Sequence, residues 1–350
     1  MTSLTIIAYH TRRAINWAIL VLIAYIILRL SWGIFSTVWI AFFPPPVNPP
    51  NHAFGKLPAL KFPKAAEDIK YSYRLETIEG YVPPASESAM VFFMPKNAAS
   101  LTAIDAAQQF AGQLDFTEKP VQESKNAYIF VDPEEQLRQM RYDIISKTFL
   151  LKYLFEKDAT LFTERDVPLP DAAIYEARAF LQSFLLYSDD LASGTTKTTF
   201  LKFVGNALLP ATSHSQSDAI RIDFFRGDVA ESRILTIGPN EGQISFLFSG
   251  SKNPKKRILE INDRYWPIEY GTFGTYGLKT SEQAWQELQS GLGYVAQAPT
   301  NNKRDVVIRK IYTAYYDSLE SQTYLQPVFV FEGDNGFIGY IQAVAAPWTD

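Results

Sequence analysis

The 350-residue chain contains no cysteine, which excludes thiol catalysis, thiolate metal sites and disulfide stapling together, so the fold must hold by packing. Zero cysteine in an exported protein suits a bacterial envelope. Histidine is nearly as scarce. Of the three, His10 lies near the N-terminus, His52 falls in a proline-rich segment, and only His214 is left for the body of the chain. A zinc site needs several His or Cys ligands at coordinating spacings, and this supply cannot provide them. The 33 basic residues are outnumbered by 37 acidic ones and form no patch, which argues against nucleic acid as a partner. No acidic residue occurs before Pro44 and only three basic ones do, so the chain beyond that point carries a net charge of about −7.

What the chain does have is one long apolar stretch. Residues 14–43 are broken by a single charge, Arg29, and are followed at once by Pro44, Pro45 and Pro46. About 20 apolar residues suffice to cross a bilayer, so the stretch is expected to be an uncleaved transmembrane anchor. A signal peptide would need a shorter apolar region and a small-residue cleavage site, whereas this stretch ends Ala41-Phe42-Phe43-Pro44. Arg12 and Arg13 place residues 1–13 in the cytoplasm and the rest outside, making a single-pass protein of the cell membrane. Two readings of Arg29 remain open. Helical spacing sets Tyr25, Arg29, Trp32 and Ser36 along one face, a polar strip that fits contact with another helix. Alternatively the span is offset, with Arg29 snorkelling to the outer headgroups and Trp32, Phe35, Trp39 and Phe42 lying along the interface.

Seven of the twenty residues from Pro44 to Pro63 are proline, so residues 44–64 are expected to form a semi-rigid linker reaching about 60 Å when extended. Apolar residues from Phe54 to Phe62 suggest that its second half docks along the domain. The whole chain is 47% hydrophobic, enough for a large core beyond the linker. The remainder alternates apolar-periodic helices with β-rich runs. Residues 101–114, 172–186 and 281–292 carry apolar residues at spacings of three and four, with Ser100, Pro170 and Thr280 or Ser281 at their starts. Strands are expected at 72–79, 89–94, 127–131, 136–153, 200–209, 219–225, 232–237, 243–248, 257–265, 306–316, 324–331 and 337–344. The expected class is α+β: a transmembrane helix followed by helices on curved antiparallel sheets, in two similar subdomains, 65–165 and 166–350.

Asn126-Ala127-Tyr128-Ile129-Phe130, Ser281-Glu282-Gln283-Ala284-Trp285 and the run Tyr324-Leu325-Gln326-Pro327-Val328-Phe329-Val330-Phe331 resemble membrane-anchored extracytoplasmic regulators of the YycI and YycH type, relatives of PepSY and cystatin-like folds. The resemblance covers the last seventy residues and part of the first unit. It implies a partner in the membrane, a sensor histidine kinase, and transfers no catalytic residue.

No motif points to chemistry. Ser213-His214-Ser215 with Asp218 shares one polar loop, whereas a triad draws its members from separate elements. Asp189-Asp190 and Glu134-Glu135 are turn neighbours, one of each expected to face solvent, and not the facing pair that glycoside cleavage needs. Gly271-Thr272-Phe273-Gly274-Thr275-Tyr276-Gly277 lacks the Lys-Ser or Lys-Thr of a phosphate loop and reads as an aromatic-lined loop. Tyr265, Trp266, Tyr270, Phe273 and Tyr276 are the densest aromatic group outside the anchor, either core packing or a recognition surface. No catalytic, cofactor or metal residues are therefore assigned. The expected role is a non-enzymatic envelope module that binds a membrane or envelope protein. The alternatives are a structural component of an envelope complex and, last, an envelope hydrolase.

Overall fold

The computed structural model describes residues 13, 16–29, 31–33, 35, 49–63, 69–98, 100–164, 166–318 and 320–349. Ser36, the expected cytoplasmic segment except Arg13, and the proline run 44–48 lie outside the described residues. The chain divides into two units, Met1–Pro49 and Pro50–Asp350. The first contains a helix, α1 (Asn16–Gly33), 18 residues long with a mean hydropathy of 1.6.

The second unit is α+β. In chain order it comprises β1 (Ser72–Leu75), β2 (Ser88–Phe93), α2 (Ala103–Gly112), β3 (Val121–Gln122), β4 (Ala127–Val131), β5 (Arg138–Asp143), β6 (Phe149–Tyr153), α3 (Pro170–Ser183), α4 (Asp189–Ala192), β7 (Thr196–Val204), β8 (Ala207–Pro210) and β9 (Ala219–Phe224). There follow β10 (Ile234–Leu235), β11 (Ile244–Ser249), α5 (Pro254–Arg257), β12 (Ile258–Asp263), β13 (Glu269–Gly277), α6 (Ser281–Gln289), β14 (Tyr294–Gln297), β15 (Asp305–Tyr316), β16 (Tyr324–Gly333) and β17 (Ile338–Gln342).

These strands form two sheets. A nine-stranded sheet runs β3-β4-β5-β6-β12-β11-β9-β7-β8 and is antiparallel throughout. An eight-stranded sheet runs β1-β15-β16-β17-β14, with β10 on the β1 edge of β15 and β2 linking β16 to β13. The expected division at residue 165 is not followed by the strands: β6 pairs with β12, and β2 pairs with β13 and β16, so chain segments from both sides are interleaved.

Each sheet buries one face under helices. Ala107 and Ala111 of α2 and Ala173, Ala177 and Leu181 of α3 lie on Phe130, Ile222, Phe246 and Ile261 of the nine-stranded sheet. The small residues at three- and four-residue spacing let the helices approach the large ring side chains closely. Pro170 opens α3 without losing a helical hydrogen bond. On the eight-stranded sheet Ala284, Trp285 and Leu288 of α6 cover Ile308, Phe329, Phe331 and Ile341. The Thr280 hydroxyl accepts from the Gln283 amide and the Gln283 side chain from the Thr280 amide, closing a capping box at its start.

Three expectations are revised. Residues 200–209 form a hairpin, β7 to β8, because Gly205 and Asn206 both take positive φ, 58° and 68°, as a tight two-residue turn requires. Residues 136–153 fold back likewise between β5 and β6, where the Asp143 carboxylate accepts from the amides of Ile145 and Ser146. The glycine-rich run 271–277 is part of strand β13, paired with β2 and interrupted by a bulge between Glu269 and Phe273. Gly274 reflects close approach, since a Cβ there would lie 3.1 Å from Ala53, whereas a Cβ on Gly271 or Gly277 would meet nothing within 4 Å.

Phe246, fully buried in central strand β11, tests this packing. Phe246→Ala is expected to lower stability by about 3–5 kcal/mol, measured by guanidinium denaturation of the full chain in detergent.

Candidate functional site

The two sheets meet around one arginine. Arg226, just beyond β9, is fully buried. Its Nη1 donates to Asp190 Oδ2 at 2.7 Å and its Nη2 to the Trp266 carbonyl oxygen. Its Nε lies 3.2 Å from Asp317 Oδ2, out of line for a well-formed hydrogen bond, and its guanidinium sits 4.0 Å from the centroid of the Tyr265 ring. The partners come from distant parts of the chain: Asp190 from α4, Tyr265 and Trp266 from the segment joining β12 to β13, and Asp317 from the end of β15. Close backbone approach makes the geometry possible. The Gly227 amide donates to the Asp190 carbonyl at 2.7 Å, and a Cβ on Gly194 would strike the Phe225 carbonyl at 1.8 Å.

Asp190 is the hub. Besides Arg226 it accepts hydroxyl hydrogen bonds from Tyr265 at 3.0 Å and Tyr270 at 2.9 Å, and one from Ser188. Burial alone would raise its carboxyl, but the Arg226 charge and the three hydroxyls outweigh burial and hold it below the usual range. Asp317 behaves oppositely: burial pushes it up, against the opposing pull of Arg226. A third carboxyl, Asp263 at the end of β12, is pushed up to about 7 by burial, despite an amide hydrogen bond from Tyr265 at 2.9 Å. The Tyr270 hydroxyl is raised by burial and by the Asp190 charge, so it stays a donor.

The expected aromatic cluster is split by this arrangement. Tyr276 is fully buried; its hydroxyl accepts from the Phe54 amide at 2.9 Å and donates to the Gly55 carbonyl at 3.0 Å. Trp266 is half-buried against Phe92, Met94 and Ile234, so it and Tyr276 serve packing. Tyr270 and Phe273, on the β13 bulge, are 39% and 43% exposed and flank the Phe92 ring, each 6.0 Å from it between centroids. They form an apolar surface whose tyrosine is pinned from beneath by Asp190 and Arg226.

In the first unit Tyr25 and Arg29 are exposed on α1 with Trp32; Ser36 lies outside the described residues. The His214 ring hydrogen-bonds the Val167 carbonyl at 3.0 Å while Ser213 and Ser215 pair with each other, so no nucleophile and base converge there. Asp189 is exposed and its neighbour Asp190 turned inward. Glu134 pairs with Lys255 at 2.9 Å. Among the described residues no three His, Asp or Glu side chains converge as metal ligands. Arg226 and Asp317 escape sequence reasoning because nothing near them in the chain marks them. The available signal is an arginine directly after an apolar strand, Ile222-Asp223-Phe224-Phe225-Arg226.

Asp263 predicts a pH dependence. Its folded value near 7 exceeds the ordinary value of about 4, so its stabilising share is intact below pH 4 and is lost as the pH rises toward 7, on the order of 4 kcal/mol. Melting the parent chain at pH 5 and pH 8 is expected to show a loss at pH 8 that Asp263→Asn reduces, the remainder coming from other raised carboxyls such as Asp317. An equal loss in both proteins would contradict the assignment.

No family model matches the chain, and no curated protein does. Among solved structures it is similar to an uncharacterised protein from Eubacterium rectale, at 12% sequence identity and a TM-score of 0.41, over 80% of this chain and 88% of that one.

Proposed function

We propose that the chain is a single-pass, membrane-anchored module whose folded unit lies outside the cell and binds a protein partner of the envelope. The observation that carries this reading is α1. Over its 18 residues no side chain is buried, and Trp17, Leu20, Ile23 and Ile27 expose apolar surface around the helix. A helix apolar all round calls for a protein interior or a lipid one, and among the described residues of this helix every side chain is exposed. At 1.5 Å per residue it spans about 27 Å, close to the hydrocarbon thickness. Arg12 and Arg13 before it favour an inward N-terminus. If these 18 residues are the span, Arg29 stands about 6 Å from its outer end, within reach of the headgroups, which supports snorkelling.

Partner binding is assigned to the exposed pair Tyr270 and Phe273. Two aromatic rings held on a strand bulge, one of them pinned by a buried carboxylate, give contact area at little entropic cost. The likeness to envelope regulators of the YycI and YycH type supports a membrane sensor as that partner.

Expression with a C-terminal tag in a bacterial host tests the topology. The expected result is an uncleaved 39.6 kDa chain that resists alkaline extraction of membranes and whose tag is digested when protease is added to spheroplasts. A shortened, soluble chain would overturn the anchor. Tyr270→Ala with Phe273→Ala should leave the melting temperature within a few degrees of the parent, as expected for exposed positions. It should also abolish in-membrane crosslinking to the partner; retained crosslinking would remove the surface from the account.

A further inference from the structure

Residues 50–63, whose apolar second half is expected to dock, lie along their whole length on the folded unit as a strap. Near its start it closes the free edge of β13. The Asn51 amide donates to the Thr275 hydroxyl at 2.9 Å, the Thr275 amide to the Asn51 side chain at 2.8 Å, and the His52 amide to the Thr275 carbonyl at 3.0 Å. Ala53 occupies the space where Gly274 lacks a side chain, and residues 54 and 55 hold the Tyr276 hydroxyl from both sides. The strap thus engages three consecutive residues of β13, beginning one residue after Phe273. Further along, the Leu57 amide donates to the Trp348 carbonyl at 2.8 Å, the His52 ring stacks 3.8 Å from Trp348, and Gln326 donates to the Pro58 carbonyl at 2.9 Å.

This attachment is shallower than the packing of the sheet beneath it. Leu57 is the one residue of the strap that is fully buried; the others are exposed or half-buried. Phe54, Leu57, Leu60 and Phe62 pack into the core beneath the strap, but with one residue fully buried and its Asn51 hydrogen bonds exposed it opens at lower free energy than the sheet beneath it. Its first hydrogen bonds, at Asn51 and His52, are also the first to bear any displacement transmitted along the chain that leads into residue 50.

We propose that residues 50–63 are a releasable strap that regulates the aromatic surface: docked, it holds β13 and the Tyr270–Phe273 bulge in place, and undocked, it frees that edge and loosens the bulge. Release hands the Thr275 amide and carbonyl and the Tyr276 hydroxyl to water, so β13 keeps its ladder with β2 but loses the hold along its other edge. The inference rests on reading Tyr270 and Phe273 as the recognition surface, and a position change at the anchored end of the chain becomes a signal at that surface.

The absence of cysteine permits a background-free test on the full chain in lipid nanodiscs. The thiol of a Leu57→Cys variant is expected to be alkylated at least about tenfold faster than that of Ala284→Cys, a site buried in α6, because the strap opens below the global unfolding free energy. Equal rates would overturn the proposal. Hydrogen exchange at the amides of residues 271–273 is expected to slow when Ala53→Cys and Gly274→Cys are oxidised to a disulfide, and to quicken in Asn51→Ala, which needs no crosslink. Unchanged exchange in Asn51→Ala would show that the strap does not govern the bulge. Neither measurement involves a partner, so loss of partner crosslinking in the Tyr270 and Phe273 variant and failure of the strap are separately visible.

Discussion

A guanidinium buried without solvent is sustainable only if opposite charge and hydrogen-bond acceptors surround it, since an isolated charge in a protein interior costs several kcal/mol or more. Arg226 meets this condition through Asp190, Asp317, the Trp266 carbonyl and the face of Tyr265. None of these partners lies near Arg226 in the chain. They arrive only when the nine-stranded sheet has placed α4 and the end of β9 together, and when β15 of the eight-stranded sheet has delivered Asp317. The cluster is therefore satisfied only if both sheets are formed and correctly apposed, a condition that ties two large layers into one unit in a chain with no disulfide to do so.

The same cluster links fold to proposed function. Asp190 reaches outward to the Tyr270 hydroxyl, so the exposed bulge on β13 rests, through Asp190, on the fully buried Arg226. From the other side the strap holds β13 at Thr275. Tyr270 and Phe273 stand between a deep support and a shallow one, and only the shallow one can be moved without unfolding the joint.

Local order was well legible in the sequence. The apolar spacing of α2, α3 and α6, Pro170 and the Thr280 cap all express short-range physics, as does the strand pattern from Asp305 to Gln342, and all stand close to where they were expected. Most of the failures are nonlocal. Gly274 looked like a loop residue because nothing nearby says that Ala53, more than two hundred residues away, needs its space. One miss is local: the run 200–209 reads as one strand unless Gly205-Asn206 is taken as a two-residue hairpin turn. The subdomain boundary at 165 followed chain order, whereas pairing of β6 with β12 ignores it. Half of the site was visible as an aromatic-rich segment; which rings face outward, and that Asp190 and Arg226 lie beneath them, depends on contacts between segments.

Charge pairing at Arg226, rather than the volume of its side chain, joins the sheets. Arg226→Met preserves much of the volume and leaves two buried carboxylates unpaired, so denaturation is expected to show a loss of about 3–5 kcal/mol. Adding Asp190→Asn and Asp317→Asn to that variant removes the orphaned charges and should restore most of the loss. A triple variant as unstable as Arg226→Met alone would contradict the account.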